Sequence, residues 1–304
     1  MTTRRVPGLA WAALGVVAFS GTIPATVFAL RGFDPALVGA GRSVIAAVFA
    51  AIALLATRAR LPTQAQLPGL IAVAIGCGIG FGLLSAIALH DVSSSHAAVV
   101  IAMLPAATAV AAVVRAGERP PLLFWVASGT GTLAVVVFAV HQGVGELKVA
   151  DGLLLAALVV AGIGYSEGGR LTRDAGMSGW QVVSWGLILA LPISLPVTVA
   201  VAAIHPPHFD ISAVAGAAYI SVISVWLGFF PWYRGLAESG IARASQVQLA
   251  QPFITLALSV WLLSERPGID AYITAVVVLA CIAVTQRVRY RRVAPMVMPQ
   301  EEAV

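Results

Sequence analysis

Two stretches of the chain decide its fold: PAATAVAAVVRAGERP at residues 105–120 and PFITLALSVWLLSERP at residues 252–267. Each begins with a proline inside an apolar run, and Glu-Arg-Pro begins thirteen residues later. The match extends outward, so that residues 86–120 align with residues 233–267 without a gap, at an offset of 147. Shared Ala, Leu and Val carry little information in so apolar a chain. The repeated proline and the repeated Glu-Arg-Pro are the informative matches. The sequence therefore predicts an internal duplication.

The composition of the 304 residues indicates the class of protein. Hydrophobic residues make up 60% and charged residues 10%, against about 25% charged residues in an ordinary soluble domain. The mean hydropathy of +0.95 agrees. So little charge cannot solvate the surface of a soluble globule, and it also excludes a disordered or fibrous chain. We therefore predict an all-α integral membrane protein in contact with the lipid bilayer.

Ten apolar runs are candidates for membrane spans, because a helix needs about 20 apolar residues to cross the hydrocarbon. They cover residues 6–30, 35–57, 61–89, 92–114, 120–140, 152–166, 175–204, 211–233, 244–264 and 271–286. The first run is too long for the apolar core of a cleavable signal peptide, so we expect it to be a span as well. We predict ten transmembrane helices in two five-helix repeats, residues 6–140 and 150–287, followed by a cytoplasmic basic tail at 288–304.

The distribution of arginine and lysine predicts the orientation, because these residues are retained on the cytoplasmic side. With the N-terminus inside, fourteen of them fall in inside segments: Arg4, Arg5, Arg58, Arg60, Arg115, Arg119, Arg170, Arg173, Arg234, Arg243, Arg287, Arg289, Arg291 and Arg292. Three fall outside, namely Arg31, Lys148 and Arg266. We expect a multi-pass protein of the plasma (inner) membrane with both termini in the cytoplasm. Since five is an odd number, the two repeats have opposite orientations, which is the architecture of secondary transporters.

With these features the chain resembles the drug/metabolite transporter superfamily, EamA type. The resemblance rests on the unit Pro105–Glu118, its copy Pro252–Glu265, the entry Pro35–Arg42 into the second span, and the end of the sixth span, Gly164–Arg170. It covers nearly the whole chain and implies the fold and a transport function. Members of that superfamily include exporters of amino acids and other small metabolites, and antiporters of nucleotide sugars and phosphate esters. The resemblance also implies that the two glutamates of the repeated unit mark helix ends and their packing.

Arg42 is the only cation predicted to lie inside a span. A charge near the middle of a bilayer costs at least about 2.5 kcal/mol on insertion scales, so Arg42 should face protein or a water-filled cavity. One hypothesis is that it binds a carboxylate or phosphate group of a substrate. The other is a packing arginine that caps helix ends or extends to the membrane interface.

The ninth predicted span has an unusually polar face. Gln248, Gln251, Pro252 and Thr255 are spaced by three and four residues, so they share one side of a helix. That side should face other helices or a cavity, and Pro252 frees a backbone carbonyl at the same depth. Gln248, Gln251 and Thr255 are therefore candidate substrate-binding residues, with hydrogen bonding between helices as the alternative.

Two tryptophans are candidates for the apolar wall of a cavity. Trp185 and Trp226 lie inside predicted spans, away from the interfacial belts that tryptophan prefers. Trp11 and Trp261 lie near span ends, where such belts explain them.

Glu167 and His96 are candidates for coupling transport to protons. Glu167 stands at the cytoplasmic end of the sixth predicted span, three residues before Arg170, so an ion pair on one helix face is the alternative. His96 follows Ser93–Ser95 at the start of the fourth predicted span. An imidazole there could titrate near neutral pH, and the alternative is a hydrogen-bonded polar residue.

The sequence favours a secondary-active exporter of a small, amino-acid-like metabolite, working by alternating access between the repeats. It contains no nucleotide-binding loop, so a proton or substrate gradient must drive transport, and neither a cofactor nor a metal site is expected. The basic residues are too dispersed for a nucleic-acid surface, and Cys77 and Cys281 lie singly in apolar runs. The alternatives are a flippase for lipids or lipid-linked sugars and, less favoured, an intramembrane enzyme. An enzyme of that kind would need paired aspartates or clustered His and Cys within the spans.

Overall fold

The structure, a computed structural model, describes residues 7–91, 101, 103–141, 149–263 and 269–287. The helices within these ranges are α1 (Gly8–Ser20), α2 (Thr22–Ala29), α3 (Pro35–Ala56), α4 (Leu67–Val73), α5 (Phe81–Asp91), α6 (Leu104–Ala116), α7 (Leu122–His141), α8 (Val149–Asp174), α9 (Gly179–Ile204), α10 (Ile211–Ala218), α11 (Phe229–Ser239), α12 (Ile241–Ser245), α13 (Gln251–Leu263) and α14 (Ile269–Arg287). Two π-helical segments, Ala74–Gly80 and Tyr219–Leu227, and one 3₁₀ segment, Gln246–Ala250, join neighbouring helices. No strand is formed in these ranges, so the predicted all-α class is confirmed for them.

Six helical segments are long and apolar enough to cross a membrane: Gly8–Ala29, Pro35–Ala56, Leu67–Ala88, Val149–Asp174, Gly179–Ile204 and Ile211–Ser239. Shorter apolar helices cover Leu104–Ala116, Leu122–Ala134 and Val276–Arg287, which overlap the fourth, fifth and tenth predicted spans. The ninth predicted span is interrupted by the 3₁₀ segment. The membrane character is therefore confirmed, with six candidate spans in the described part, and the figure of ten stays a prediction.

The helix bounds repeat along the chain. Shifted by the 147-residue offset, α6 falls on residues 251–263, which are the bounds of α13. The π-helical segment Ala74–Gly80 falls on residues 221–227, inside the second π-helical segment. The duplication predicted from the two proline-containing stretches is therefore present in the backbone. The second Glu-Arg-Pro, at residues 265–267, lies outside the described residues.

Helices of the two halves pack against each other reciprocally. α3 packs along α9, its counterpart in the second half, and α7 packs along α14, its counterpart. α1 packs on α11, while α5, the counterpart of α11, packs on α8, the counterpart of α1. Reciprocal contacts of this kind arise when a two-fold axis relates the two sides of an interface. Such a pseudo-two-fold relation brings side chains from both halves to the centre of the molecule.

The connections between helices collect at two opposite ends. At one end, the N–H of His208 donates to the carbonyl of Gly32 (2.8 Å), which joins the α2–α3 and α9–α10 connections. At the other, Gln66 Nε2 donates to the carbonyl of Ala175 (3.1 Å), just after α8. We call these the Gly32 end and the Glu118 end, after the glutamate that follows α6. In the predicted orientation, the Gly32 end is external and the Glu118 end is cytoplasmic.

Aromatic side chains from both halves fill the interior. Phe19, Tyr165, Phe229 and Trp232 contact one another with ring centroids between 5.0 and 6.5 Å apart. Large aliphatic side chains lie instead on the outer surface, where many are exposed, including Leu55, Val149 and Ile211. Exposed aliphatic surface on this scale is expected of a protein surrounded by lipid.

Candidate functional site

A cavity of about 150 Å³ lies between the two halves. The first half contributes residues of α1, α2, α3, α5, α6 and the first π-helical segment. The second half contributes residues of α8, the second π-helical segment, α11 and the segment around the start of α13. The polar and aromatic groups used below are Phe19, Arg42, Cys77, Tyr165, Gln248 and Gln251. From these residues the cavity extends to Leu30 and Val38, beside the Gly32 end. It therefore occupies the half of the molecule nearer that end.

Helix α3 places Arg42 in this cavity. Asp34 caps the helix, with its Oδ1 accepting from the N–H of Ala36 (2.8 Å), and Pro35 occupies the first turn. Ser43, the next residue, donates to the carbonyl of Gly78 in the first π-helical segment. This contact fixes the rotation of α3 against its neighbour, so that Arg42 points to the cavity.

The guanidinium of Arg42 is buried without a hydrogen-bonding acceptor. Arg42 is 8% exposed, and its Nε has no partner within the described residues. The group lies against Gly82 of α5, where an added Cβ would collide with it. No described residue of the lining carries a negative charge. Because a buried, uncompensated cation is unfavourable, this position is suited to an anionic group.

Gln248 supplies an unpaired acceptor to the same cavity. It lies in the 3₁₀ segment, is 4% exposed, and its Oε1 has no partner among the described residues. Tyr165 lines the same cavity. Beside them, the Tyr233 hydroxyl donates to Cys77 Sγ (3.4 Å). The cavity wall therefore carries a strong donor, Arg42, and a neutral acceptor, Gln248.

Gln251 lines the cavity, whereas Thr255 forms a hydrogen bond between helices. Pro24 has no N–H to offer to the carbonyl of Ser20, four residues earlier. Thr255 Oγ1 donates to that carbonyl (2.9 Å). The contact joins α13 to the junction of α1 and α2. On the polar face predicted for this span, Gln251 therefore forms part of the cavity wall, and Thr255 forms a contact between helices.

Trp185 and Trp226 pack on the buried core beside the cavity. Trp226 Nε1 donates to Ser184 Oγ (3.0 Å), and its ring centroid lies 5.2 Å from that of Phe230 and 6.0 Å from that of Phe49. Neither tryptophan is part of the lining of this cavity. Their predicted contact with a substrate is therefore not supported by the geometry.

Glu167 is held between two arginines near the Glu118 end. The residue is 1% exposed, its Oε1 accepts from Arg115 Nε (2.7 Å), and its Oε2 accepts from Arg170 Nε (2.8 Å). Arg115 belongs to α6 of the first half, whereas Glu167 and Arg170 belong to α8 of the second. The geometry favours the ion pair over a free carboxyl, and proton coupling by Glu167 stays a prediction.

Glu118 caps a helix of the opposite half. Its carboxylate accepts from the N–H groups of Ile241 (2.7 Å) and Ala242 (2.8 Å), and Arg173 Nη1 lies 3.2 Å away. The chain enters α12 through Gly240, whose φ of +90° suits only glycine. We call the group Arg115, Glu118, Glu167, Arg170 and Arg173 the ion-pair cluster. It connects the two halves at the end opposite to the one that the cavity approaches.

Among the residues of the site that were not predicted from the sequence are Phe19, Cys77, Gly82 and Tyr165. Lipid-facing, core and cavity-lining surfaces all use apolar side chains, so an apolar run does not indicate which face lines a cavity. The hydroxyl of Tyr165 at the end of the sixth predicted span was the available signal, because a buried tyrosine hydroxyl needs a partner.

The second coupling candidate, His96, lies outside the described residues, as does the basic tail at 288–304. In the described part of the chain, no group of three or more His, Cys, Asp or Glu side chains is placed to hold a metal ion. Cys77 and Cys281 are both free thiols.

Comparisons with known proteins agree with this architecture. The EamA-like transporter family matches the chain twice, at residues 6–140 and 148–286. The uncharacterized transporter YdeK of Bacillus subtilis (strain 168) is 43% identical over 274 residues, which cover 90% of this chain and 95% of YdeK. A protein crystal structure aligns over 92% of this chain and 98% of its own, with a TM-score of 0.73 and 17% identity. That last similarity concerns the fold alone.

Proposed function

The chain belongs to the EamA-like transporter family, and from this premise we propose that it is a secondary-active exporter of a small, amino-acid-like metabolite. It resides in the plasma membrane with both termini in the cytoplasm. The cargo occupies the cavity between the halves, and a gradient of protons or of a second substrate drives the cycle.

One observation carries the proposal: the cavity lies between two pseudo-symmetric halves and contains a buried arginine whose Nε has no acceptor among the described residues. Transporters place their substrate sites at the interface of such repeats, near the middle of the membrane. An unpaired buried cation would be a costly feature of a protein that only needed to pack its helices. The site therefore supports binding of a polar ligand within the membrane.

The placement of the ion-pair cluster supports alternating access. The cavity approaches the Gly32 end, while the cluster joins the halves at the Glu118 end. A pseudo-two-fold relation between the halves allows a second state in which the open and closed ends are exchanged. In our proposal, that state requires the contacts of Arg115 with Glu167 and of Glu118 with Arg173 to break.

Transport by the purified full-length chain in proteoliposomes tests the proposal. The liposomes are loaded with a pool of labelled amino acids, hydroxy acids and other small metabolites, and efflux is followed with and without an imposed pH gradient. We expect at least one small metabolite to leave faster than from protein-free liposomes. Lipid scrambling without metabolite efflux would instead favour the flippase alternative and contradict the proposal.

A further inference from the structure

The charge balance of the central cavity narrows the class of cargo. Resting on the proposed transport function, we infer that the cavity takes small monoanionic carboxylates that also carry a neutral hydrogen-bond donor, such as 2-hydroxy acids, in preference to zwitterionic amino acids.

The first step concerns the charge that the cargo must carry. Arg42 contributes a single positive charge, and the described lining contributes no negative one. A monoanion neutralises this charge inside the protein, whereas a zwitterion leaves one positive charge uncompensated. Buried charge without compensation is strongly unfavourable, so the monoanion is the better ligand.

Two acidic groups on helices that line the cavity or on its flanks, Glu167 and Asp34, are already engaged. Glu167 is bonded to Arg115 and Arg170. Asp34 caps α3 and faces His205, whose Nδ1 lies 3.7 Å from its Oδ2. Neither carboxylate lines the cavity. Within the described lining, an ammonium group of a ligand would therefore find a neutral amide or hydroxyl as its acceptor and no carboxylate.

The start of α6 adds to the positive potential. Leu104, its first residue, lines the cavity, and Pro105 occupies the first turn of this 13-residue helix. The N-terminus of a helix carries a partial positive charge of about half an elementary charge. Together with the unpartnered guanidinium of Arg42, it favours the carboxylate of the ligand.

The other polar group of the ligand is matched by Gln248. Its unpaired Oε1 accepts a hydrogen bond, and a hydroxyl loses less hydration free energy than an ammonium when it is buried next to a neutral amide. Part of the remaining wall, which includes Ile23, Val27 and Phe19, is apolar. A short branched carbon chain would fill that part.

Four compounds that share one carbon skeleton and differ in charge at pH 7 test which charge the cavity prefers. They are 2-hydroxy-3-methylbutanoate (an anion), its primary amide (neutral), L-valine (a zwitterion) and L-valinamide (a cation). Half-saturating concentrations are measured from thermal stabilisation of the purified full-length protein and from countertransport in proteoliposomes. We expect the hydroxy acid to half-saturate at a concentration at least about tenfold lower than each of the other three, because it alone neutralises Arg42.

Variants identify Arg42 as the source of that preference. In Arg42→Gln the preference for the acid over its amide should fall to about threefold or less, and Arg42→Lys should be intermediate, because an ammonium lacks the planar fork of donors. Arg31→Gln is the matched control, since Arg31 is exposed and stacks on Phe28, 4.6 Å from its ring centroid, outside the lining. This variant should keep the wild-type preference.

Three outcomes would overturn the inference. They are equal binding of acid and amide by the wild type, tighter binding of valine than of the hydroxy acid, and no response to any of the four compounds. Binding of the four compounds to the wild-type protein tests the inferred preference for a monoanion even if Arg42→Gln fails to fold. Export of another metabolite from the pool would at the same time leave the proposed transport function standing.

Discussion

At the scale of single residues, the site depends on a pair that is distant in sequence, Arg42 and Gly82. The importance of Arg42 could be predicted from the sequence, because a cation within an apolar run is costly and must have a protein or aqueous environment. The role of Gly82 could not, because it depends on which helix packs against α3. In the structure, the absence of a side chain at Gly82 makes room for the guanidinium.

We predict that Gly82→Ala lowers transport about tenfold, because displacement of the guanidinium breaks its directed contact with the carboxylate of the cargo. Initial rates in proteoliposomes, normalised to inserted protein, measure the effect. Gly129→Ala is the matched control, since an added Cβ there meets no atom within 4 Å. Equal rates for the two variants would show that the position of Arg42 does not matter for transport.

At the scale of helices, the sequence predicted where apolar segments lie better than where they break. The repeated proline pattern and the 147-residue offset indicated the duplication that α6 and α13 display. The two π-helical segments were not predicted, because an apolar run is compatible with α- and π-helical hydrogen bonding alike. The hydrogen-bond partner of Thr255 could not be predicted either, because it is a backbone carbonyl in the opposite half that Pro24 leaves free.

Glu118 gives a prediction at the same scale, because it connects α6 with the start of α12. Glu118→Ala removes the acceptor for the N–H groups of Ile241 and Ala242 and should lower the free energy of unfolding by about 2 kcal/mol. Thermal unfolding of the purified protein in detergent measures the change. Glu238→Ala removes an exposed pair with Arg234 on one helix and should cost about 0.5 kcal/mol or less. A loss no larger than that for Glu118→Ala would show that the cap does not stabilise the helix.

At the scale of the whole molecule, the arrangement of connections agrees with the predicted orientation. The Gly32 end gathers connections that the arginine count places outside, and the Glu118 end gathers those placed inside. We therefore expect reporter fusions after Lys148 and Pro207 to be external, and fusions after Arg60 and Val304 to be cytoplasmic. Enzymatic reporters that are active on one side of the membrane provide the measurement. Two reversed sites would contradict the inverted orientation of the repeats.

Accessibility of Cys77 tests the state of the whole transporter. Cys77 lines the cavity, which extends toward the Gly32 end, whereas the ion-pair cluster joins the two halves at the other end. In a Cys281→Ser background, it is the only thiol of the chain. We predict that a small membrane-impermeant thiol reagent labels it from outside intact cells, because the described cavity lies on that side in the predicted orientation.

Breaking the ion-pair cluster should change that accessibility. Adding Glu118→Ala removes a contact that, in our proposal, must break before the Glu118 end opens, so the population should shift toward the state open to the cytoplasm. Labelling from outside should then slow, while labelling in inside-out vesicles should accelerate. The background with Cys77→Ser, which has no thiol, gives the unlabelled baseline. Labelling that stays equal from both sides, with and without Glu118→Ala, would mean that the cluster does not close one end of the cavity and that the two halves do not alternate about it.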